Sequence, residues 1–254
     1  MKLNWNIRTE VKWVATLMGL CALIAFAERK RGDMVCKDIL VQLDNVQENH
    51  FMSEADALKM VEHGQPQLRG KSFDEINLKE IESKLIYNKH ISKADLFTDL
   101  KGNLIVQVNL RRPIARLVQE DAPDAYIAED GTVMPVSESF TSRVLIISGG
   151  YVRTIIDKAN LNTFDEGKQI MTMIEFINKD SFWKAQASQL DINSRGKIFI
   201  IPQVTSQTVE FGFPVNIEEK FRKLKIFYKK ILPQMGWTKY SRVSLEFEGQ
   251  VVAQ

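Results

Sequence analysis

Cysteine and histidine are scarce in this 254-residue chain, with only two of the first and three of the second. Cys21 and Cys36 both lie near the N-terminus, so everything after residue 36 is free of disulfides and thiol nucleophiles. The two early cysteines read as packing residues, with an intermolecular bridge at Cys36 as the alternative. His50, His63 and His90 each lack a second histidine or cysteine three or four positions on, which argues against a helix-borne metal site. No G-x-S-x-G, P-loop, G-x-G-x-x-G or H-E-x-x-H run occurs, and the serines and carboxylates show no catalytic spacing. Asp121, Asp124, Glu129 and Asp130 gather along one turn, where they read as solubilising a hairpin. Neither a catalytic residue, a metal site nor a cofactor is expected.

An excess of charge is missing too. The formal net charge is +2, but its placement is uneven. Lys2, Arg8, Lys12, Arg29, Lys30 and Arg31 against Glu10 and Glu28 give the first 31 residues +4, leaving −2 for the rest. The bulk of the chain therefore has no global electrostatic reason to bind nucleic acid. Long apolar runs are equally rare. The longest charge-free stretch is "WVATLMGLCALIAFA", Trp13–Ala27, which as a helix spans about 22 Å against a hydrocarbon core of about 30 Å. Lys12 and Arg29 can snorkel to extend that span, Trp13 suits an interface, and Lys30 and Arg31 complete a basic flank. A cleaved signal peptide is the rival reading, since Ala25-Phe26-Ala27 has the small-x-small form of a cleavage site. Arg29-Lys30-Arg31 directly after the cut would hinder export, so a retained anchor is preferred. Either reading exports the C-terminal bulk if the N-terminus stays in the cytoplasm.

What is present is ordinary globular composition, 44% hydrophobic and 26% charged. "KDILVQLDNV" alternates as a strand, and "SEADALKMVEH" reads as a helix with Ser53 and Asp56 in a capping box and Ala57, Leu58 and Val61 inward. "NLKEIESKLIYN" places Leu78, Ile81 and Leu85 at helical spacing, and "ISKADLFTDL" and "NLIVQVNL" flank a Lys101-Gly102 hairpin. Pro113 in "RRPIARLVQE" points to a junction or edge position. "AYIAEDGTVMPV" reads as a hairpin on a two-residue type I′ turn at Asp130-Gly131. "RVLIIS" follows as a short buried strand closed by Gly149-Gly150. Thr163 and Glu166 predict a second capping box opening a helix, and three strands follow. Asn216 and Glu219 then start a helix with Phe221, Leu224, Tyr228 and Ile231 on one face. On that helix Lys220, Lys223 and Lys230 read as a solvated face, with lipid head groups or an acidic partner as the alternative. The chain closes on "YSRVSLEFEGQVVAQ", where Val243, Leu245 and Phe247 alternate inward and no later strand is foreseen to cover the edge.

The expected fold class is α+β, with a small β-α-α-β-β unit followed by a mainly antiparallel sheet carrying two covering helices. In this order the chain resembles the FtsQ/DivIB family of bacterial cell-division proteins. The resemblance rests on "RRPIARL" with Pro113 and Ala115, on "YIAEDGTVM" from Tyr126 to Met134, on "VLIISG" ending at Gly149, and on "VSLEFEGQVVA" with Gln250, Val251 and Ala253. It implies a cytoplasmic tail over 1–12, a transmembrane helix over 13–27, a linker over 28–37, a POTRA domain over 38–111 and a β domain over 112–254. It also implies a non-enzymatic scaffold at the division septum, single-pass in the inner membrane with its bulk periplasmic. FtsB- and FtsL-like proteins would be its partners, coupling assembly to septal peptidoglycan synthesis. Many members place Asp and Arg two apart in the last strand, where this chain has Ser244 and Glu246.

A partner strand is then expected to pair by β-augmentation along Tyr240, Ser241, Arg242, Val243, Ser244, Leu245, Glu246 and Phe247, with Trp237 as a further contact. Three other readings stay open: a POTRA-containing assembly or secretion factor, a signal-cleaved periplasmic binding protein, and an exported enzyme with a non-motif active site.

Overall fold

The computed structural model describes residues 7–32, 34–45, 49–137, 140–204 and 207–254. Helix α1 (Ile7–Gly32) contains the charge-free stretch and continues past it, so the expected linker over 28–37 begins as helix. From Val11 to Ile24 its apolar side chains are exposed on every side, Trp13 and Met18 among them. Among the described residues no helix is long and apolar enough to cross a membrane.

The chain divides into two compact units. The first takes residues up to Asp44, Ser53–Asn88 and Lys93–Val108; the second takes Asn45–Met52, Lys89–Ser92 and Asn109–Gln254. In chain order come β1 (Ile39–Asp44), α2 (Glu54–Gly64), α3 (Leu78–Tyr87), β2 (Ile91–Thr98) and β3 (Leu104–Leu110), with the sheet ordered β1-β3-β2. The helices bury Ala57, Val61, Ile81 and Leu85, the residues that recur every three or four positions. The capping box at Ser53 forms as expected: Ser53 Oγ accepts from the Asp56 N–H, and Asp56 accepts from the Ser53 N–H. Cys36 is 1% exposed, which rules out the intermolecular bridge, and burial pushes its thiol pKa up.

The second unit continues with β4 (Pro113–Leu117), β5 (Ala125–Ala128), β6 (Val133–Pro135) and β7 (Leu145–Ser148). Helices α4 (Val152–Lys158), α5 (Asp165–Lys179) and α6 (Ser181–Gln186) lead to β8 (Ala187–Ile192), β9 (Ile198–Pro202) and β10 (Thr208–Gly212). Then come α7 (Ile217–Ile226), α8 (Leu232–Met235), β11 (Arg242–Ser244) and β12 (Val252–Ala253). Among the described residues these nine strands join one sheet, ordered β12-β11-β10-β9-β8-β7-β4-β5-β6. Five pairings are antiparallel, while β4–β7, β7–β8 and β10–β11 are parallel. One core joins Ala115, Ile147, Leu190, Ile200, Val209 and Val243 of the sheet to Ile174 of α5, Trp183 of α6 and Phe221 of α7. Phe221 is its aromatic hub, with ring centroids 4.8 Å from Phe176 and Trp183 and 5.1 Å from Phe211. The opposite face carries a smaller cluster of Phe51, Tyr126, Ala128 and Met134.

Several local expectations change. Strand β4 lies inside the sheet between β5 and β7 rather than at an edge. Pro113 is accommodated because it is the first strand residue and sits at a register shift, where no ladder N–H is needed. The β5–β6 turn is not type I′, since Gly131 takes φ +79° while Asp130 does not take positive φ. The Gly131 N–H donates to Ala128 O and the Ala128 N–H to Thr132 O, a type I turn with a glycine bulge. Thr163 does not cap α5: its hydroxyl donates to Asn160 O at 2.7 Å and closes a 3-10 turn, leaving Phe164 at the cap. Asn216 precedes α7 as expected but makes no side-chain cap. After α7 the chain forms a π-helical turn, Phe227–Ile231, because Pro233 lacks the N–H that an α-helix would direct to Lys229 O. The extra residue rotates the buried face, so Leu232 is enclosed and Ile231 is 40% exposed.

Helices α4 and α6 were not anticipated. Asp180 builds α6 by accepting from the N–H groups of Phe182 and Trp183, and it binds Lys225 Nζ at 2.8 Å. The lysine bond, against a smaller desolvation effect, holds its carboxyl below the ordinary value of 3.8. A carboxylate with a depressed folded pKa contributes stability above 3.8 and loses it as pH falls through the folded value. Asp180→Ala should therefore cost about 0.5–2 kcal/mol at neutral pH. In urea titrations the gap to the parent chain should narrow steadily below pH 3.8; a gap independent of pH would remove the carboxylate from the explanation.

Candidate partner-binding surface

The C-terminal end of the sheet is assembled from residues that the alternating pattern located only in part. Strand β11 spans three residues rather than the eight expected to present an edge. It is covered on both sides: β10 pairs with it in parallel and β12 in antiparallel register. The open-edge expectation for Tyr240–Phe247 is thus corrected, because the chain turns back through Glu248-Gly249 and supplies its own next strand.

The geometry of that return is defined by backbone bonds. Arg242 and Gln254 exchange both N–H to O bonds, at 3.1 and 2.9 Å, and the Ser241 N–H donates to Gln254 O at 2.7 Å. On the other flank the Thr208 N–H donates to Ser241 O and the Leu245 N–H to Glu210 O. Bonding direction alternates along an antiparallel strand. Ser244 and Val252 therefore face each other, and the backbone groups of Val251 and Ala253 point away from the sheet. Among the described residues the free edge is β12. The opposite edge, β6, is shielded: the Val133 N–H donates to Ala159 O, and Thr132 bridges Asn160.

Side chains around β12 divide into supports and exposed groups. Val243, Ser244 and Leu245 are buried, at 0, 8 and 0% exposure. Tyr240 is half-buried, its ring centroid 5.8 Å from Phe227 with Lys239 Nζ 5.7 Å away. Arg242 pairs with Glu210, and Glu246 pairs with Lys197 at 2.8 Å. Phe247 is 51% exposed rather than inward, since the strand has ended before it. Trp237 is 44% exposed, with its ring centroid 6.2 Å from Tyr228. Exposed Phe213, Val215 and Phe247 line a shallow groove together with Glu246 and Glu248.

The cationic helix turns out to be supportive. Lys220 Nζ donates to Phe211 O and Phe213 O, both at 2.9 Å, and sits 4.7 Å from the Phe211 ring centroid. Burial lowers its pKa. Lys223 Nζ donates to Phe247 O at 3.0 Å, which ties α7 to the segment after β11. Of the three lysines only Lys230 remains a solvated face. Lys12 and Trp13 are exposed on α1, whereas the side chains of Arg29, Lys30 and Arg31 lie outside the described residues.

No group of histidine, cysteine or carboxylate side chains suited to a metal ion occurs among the described residues. The acidic turn is spent on structure, with Asp124 on Arg116, Asp130 on Arg111 and Glu129 on Arg112. The missed part of the surface is Val251–Gln254. Its signals were the Glu248-Gly249 turn and the β-branched pair Val251-Val252.

No curated protein matches the chain. A POTRA-like domain family matches residues 34–109, and the family described as FtsQ/DivIB, C-terminal related, matches residues 112–254, more than half of the chain. By that match, and by a β-α-α-β-β unit followed by this sheet, the chain belongs to the FtsQ/DivIB family of cell-division proteins.

Proposed function

We propose that this protein is a membrane-tethered, non-enzymatic divisome scaffold that engages FtsB- and FtsL-like partners at the C-terminal end of its sheet. One observation carries the reading: among the described residues β12 is a free edge with the backbone groups of Val251 and Ala253 pointing away from the sheet, in a C-terminal segment where Tyr240 is half-buried and Trp237 and Phe247 are exposed. An incoming strand gains main-chain bonds from such an edge and specificity from the side chains that flank it. The partner then adds to β12 instead of to Tyr240–Phe247 directly, and those residues support the edge from behind. The tether is α1, whose exposed apolar surface continues from Val11 to Ile24 with Lys12 and Trp13 at one end. Snorkelling by Lys12 and local thinning of the bilayer offset its short charge-free length.

The test uses the tagged full chain, co-expressed with FtsB- and FtsL-like proteins, and a version lacking residues 249–254. The full chain should stay in the membrane fraction through carbonate extraction and co-purify with the partners. The truncated chain should stay folded by circular dichroism and lose them. Unchanged co-purification would refute the edge, and stronger co-purification would mean that the partner replaces β12. Release of a soluble product starting at Glu28 would sink the tether.

A further inference from the structure

A groove of about 1180 Å³ opens in the second unit where the first residues of β4, β7 and β8 meet the end of α5. Nothing in 237–254 lines it, so it is separate from the C-terminal edge. Among the described residues its walls carry Arg112, Arg116, Arg143, Lys179 and Lys184 against Glu129 and Glu175. Three of these cations are engaged: Arg112 faces Glu129 at 3.6 Å, Arg116 meets Asp124 at 2.7 Å, and Lys179 meets Glu175 at 3.2 Å. Arg143 and Lys184 are exposed and have no carboxylate in ion-pair reach among the described residues. The floor is apolar, formed by Ile114, Leu145, Ala187 and Ile146, the last 37% exposed.

These features select the occupant. The volume exceeds the roughly 300–1,000 Å³ of a small-molecule site. The site is recessed, and a planar bilayer surface cannot enter a recess. A concave cationic surface over a low-dielectric floor focuses its field on an anionic ligand, and Arg143 and Lys184 have no carboxylate partner among the described residues. We propose that the groove docks an acidic peptide segment of a partner protein. Its apolar side chains rest on Ile114 and Ile146, and its carboxylates meet Arg143 and Lys184.

The test measures fluorescence anisotropy of a labelled peptide of alternating Glu and Leu, with the full chain in a zwitterionic detergent. Binding should weaken at high salt. It should fall at least about tenfold in R143E/K184E, with an unchanged melting temperature, while K230E binds like the parent chain. A matching Lys and Leu peptide should not bind. The proposal is overturned if the acidic peptide fails to bind, or binds R143E/K184E as tightly as the parent. Displacement of the peptide by phosphatidylglycerol mixed micelles, but not by phosphatidylcholine ones, would assign the groove to a lipid surface and overturn it equally. Because the groove and β12 are separate, R143E/K184E should still co-purify with FtsB- and FtsL-like proteins, so the two readings fail independently.

Discussion

Leu245→Asp should abolish cooperative folding of the C-terminal domain. Leu245 is 0% exposed within the main core, and its N–H donates to Glu210 O at 2.8 Å, so side chain and backbone are both fixed. An unpaired carboxylate there costs several kcal/mol or raises its pKa until it is neutral, and total stability is only about 5–15 kcal/mol. Phe247→Asp is the matched control, because Phe247 is 51% exposed and its substitution should shift stability by no more than about 0.5 kcal/mol. Thermal melting followed by circular dichroism separates the two. A native-like transition in Leu245→Asp would mean that the faces of this segment are reversed.

Gly149→Ala should be the second severe lesion, although it adds only one methyl group. Gly149 directly follows β7 at φ +97°, in the region that residues with a Cβ avoid. A Cβ placed there would lie 2.4 Å from Ile192 O and 2.8 Å from an Asp191 carboxylate oxygen. The first contact is with the backbone of β8, the neighbour of β7, and cannot be relieved by a rotamer change. Gly196 isolates the conformational part, since its φ is +81° with nothing within 4 Å of a built Cβ. Gly196→Ala should cost about 1–2 kcal/mol from backbone conformation alone, and Gly149→Ala at least about 3 kcal/mol. Urea midpoints measure both, and equal losses would show that β7 and β8 yield at this contact.

Local periodicity carried much of the fold. Alternation at Ile39–Asp44 and Leu104–Leu110, helical spacing at Ile81 and Leu85, and the Ser53 capping box depend on neighbours within one element, where a short window holds the needed information. The order of those elements, joined to Pro113, Gly149 and the closing strand, was enough to point to the family.

The failures came where a residue's role depends on a distant partner. Thr163 has the sequence context of a cap, yet its hydroxyl is taken by Asn160 O in a preceding turn. Pro113 looked like an edge residue because a proline lacks a ladder donor, and only the register shift shows how an interior strand admits it. Pro233 converted one helical turn to π geometry and so exchanged Ile231 for Leu232 in the core. Lys220 and Lys223 resembled a free cationic face until tertiary packing brought the carbonyls of Phe211, Phe213 and Phe247 to their ammonium groups.

The sequence by itself determined the α+β composition, the β-α-α-β-β order of the first unit, the lack of catalytic motifs and a C-terminal segment with Val243 and Leu245 inward. Tertiary structure alone decided which backbone stays unpaired. Strand adjacency is set by the packing of α5, α6 and α7 on one face and by a return turn at Gly249, and no residue's own periodicity encodes it. The edge therefore passed from β11 to β12, and the cations of the groove, far apart in sequence, came together only where strand starts from β4, β7 and β8 converge.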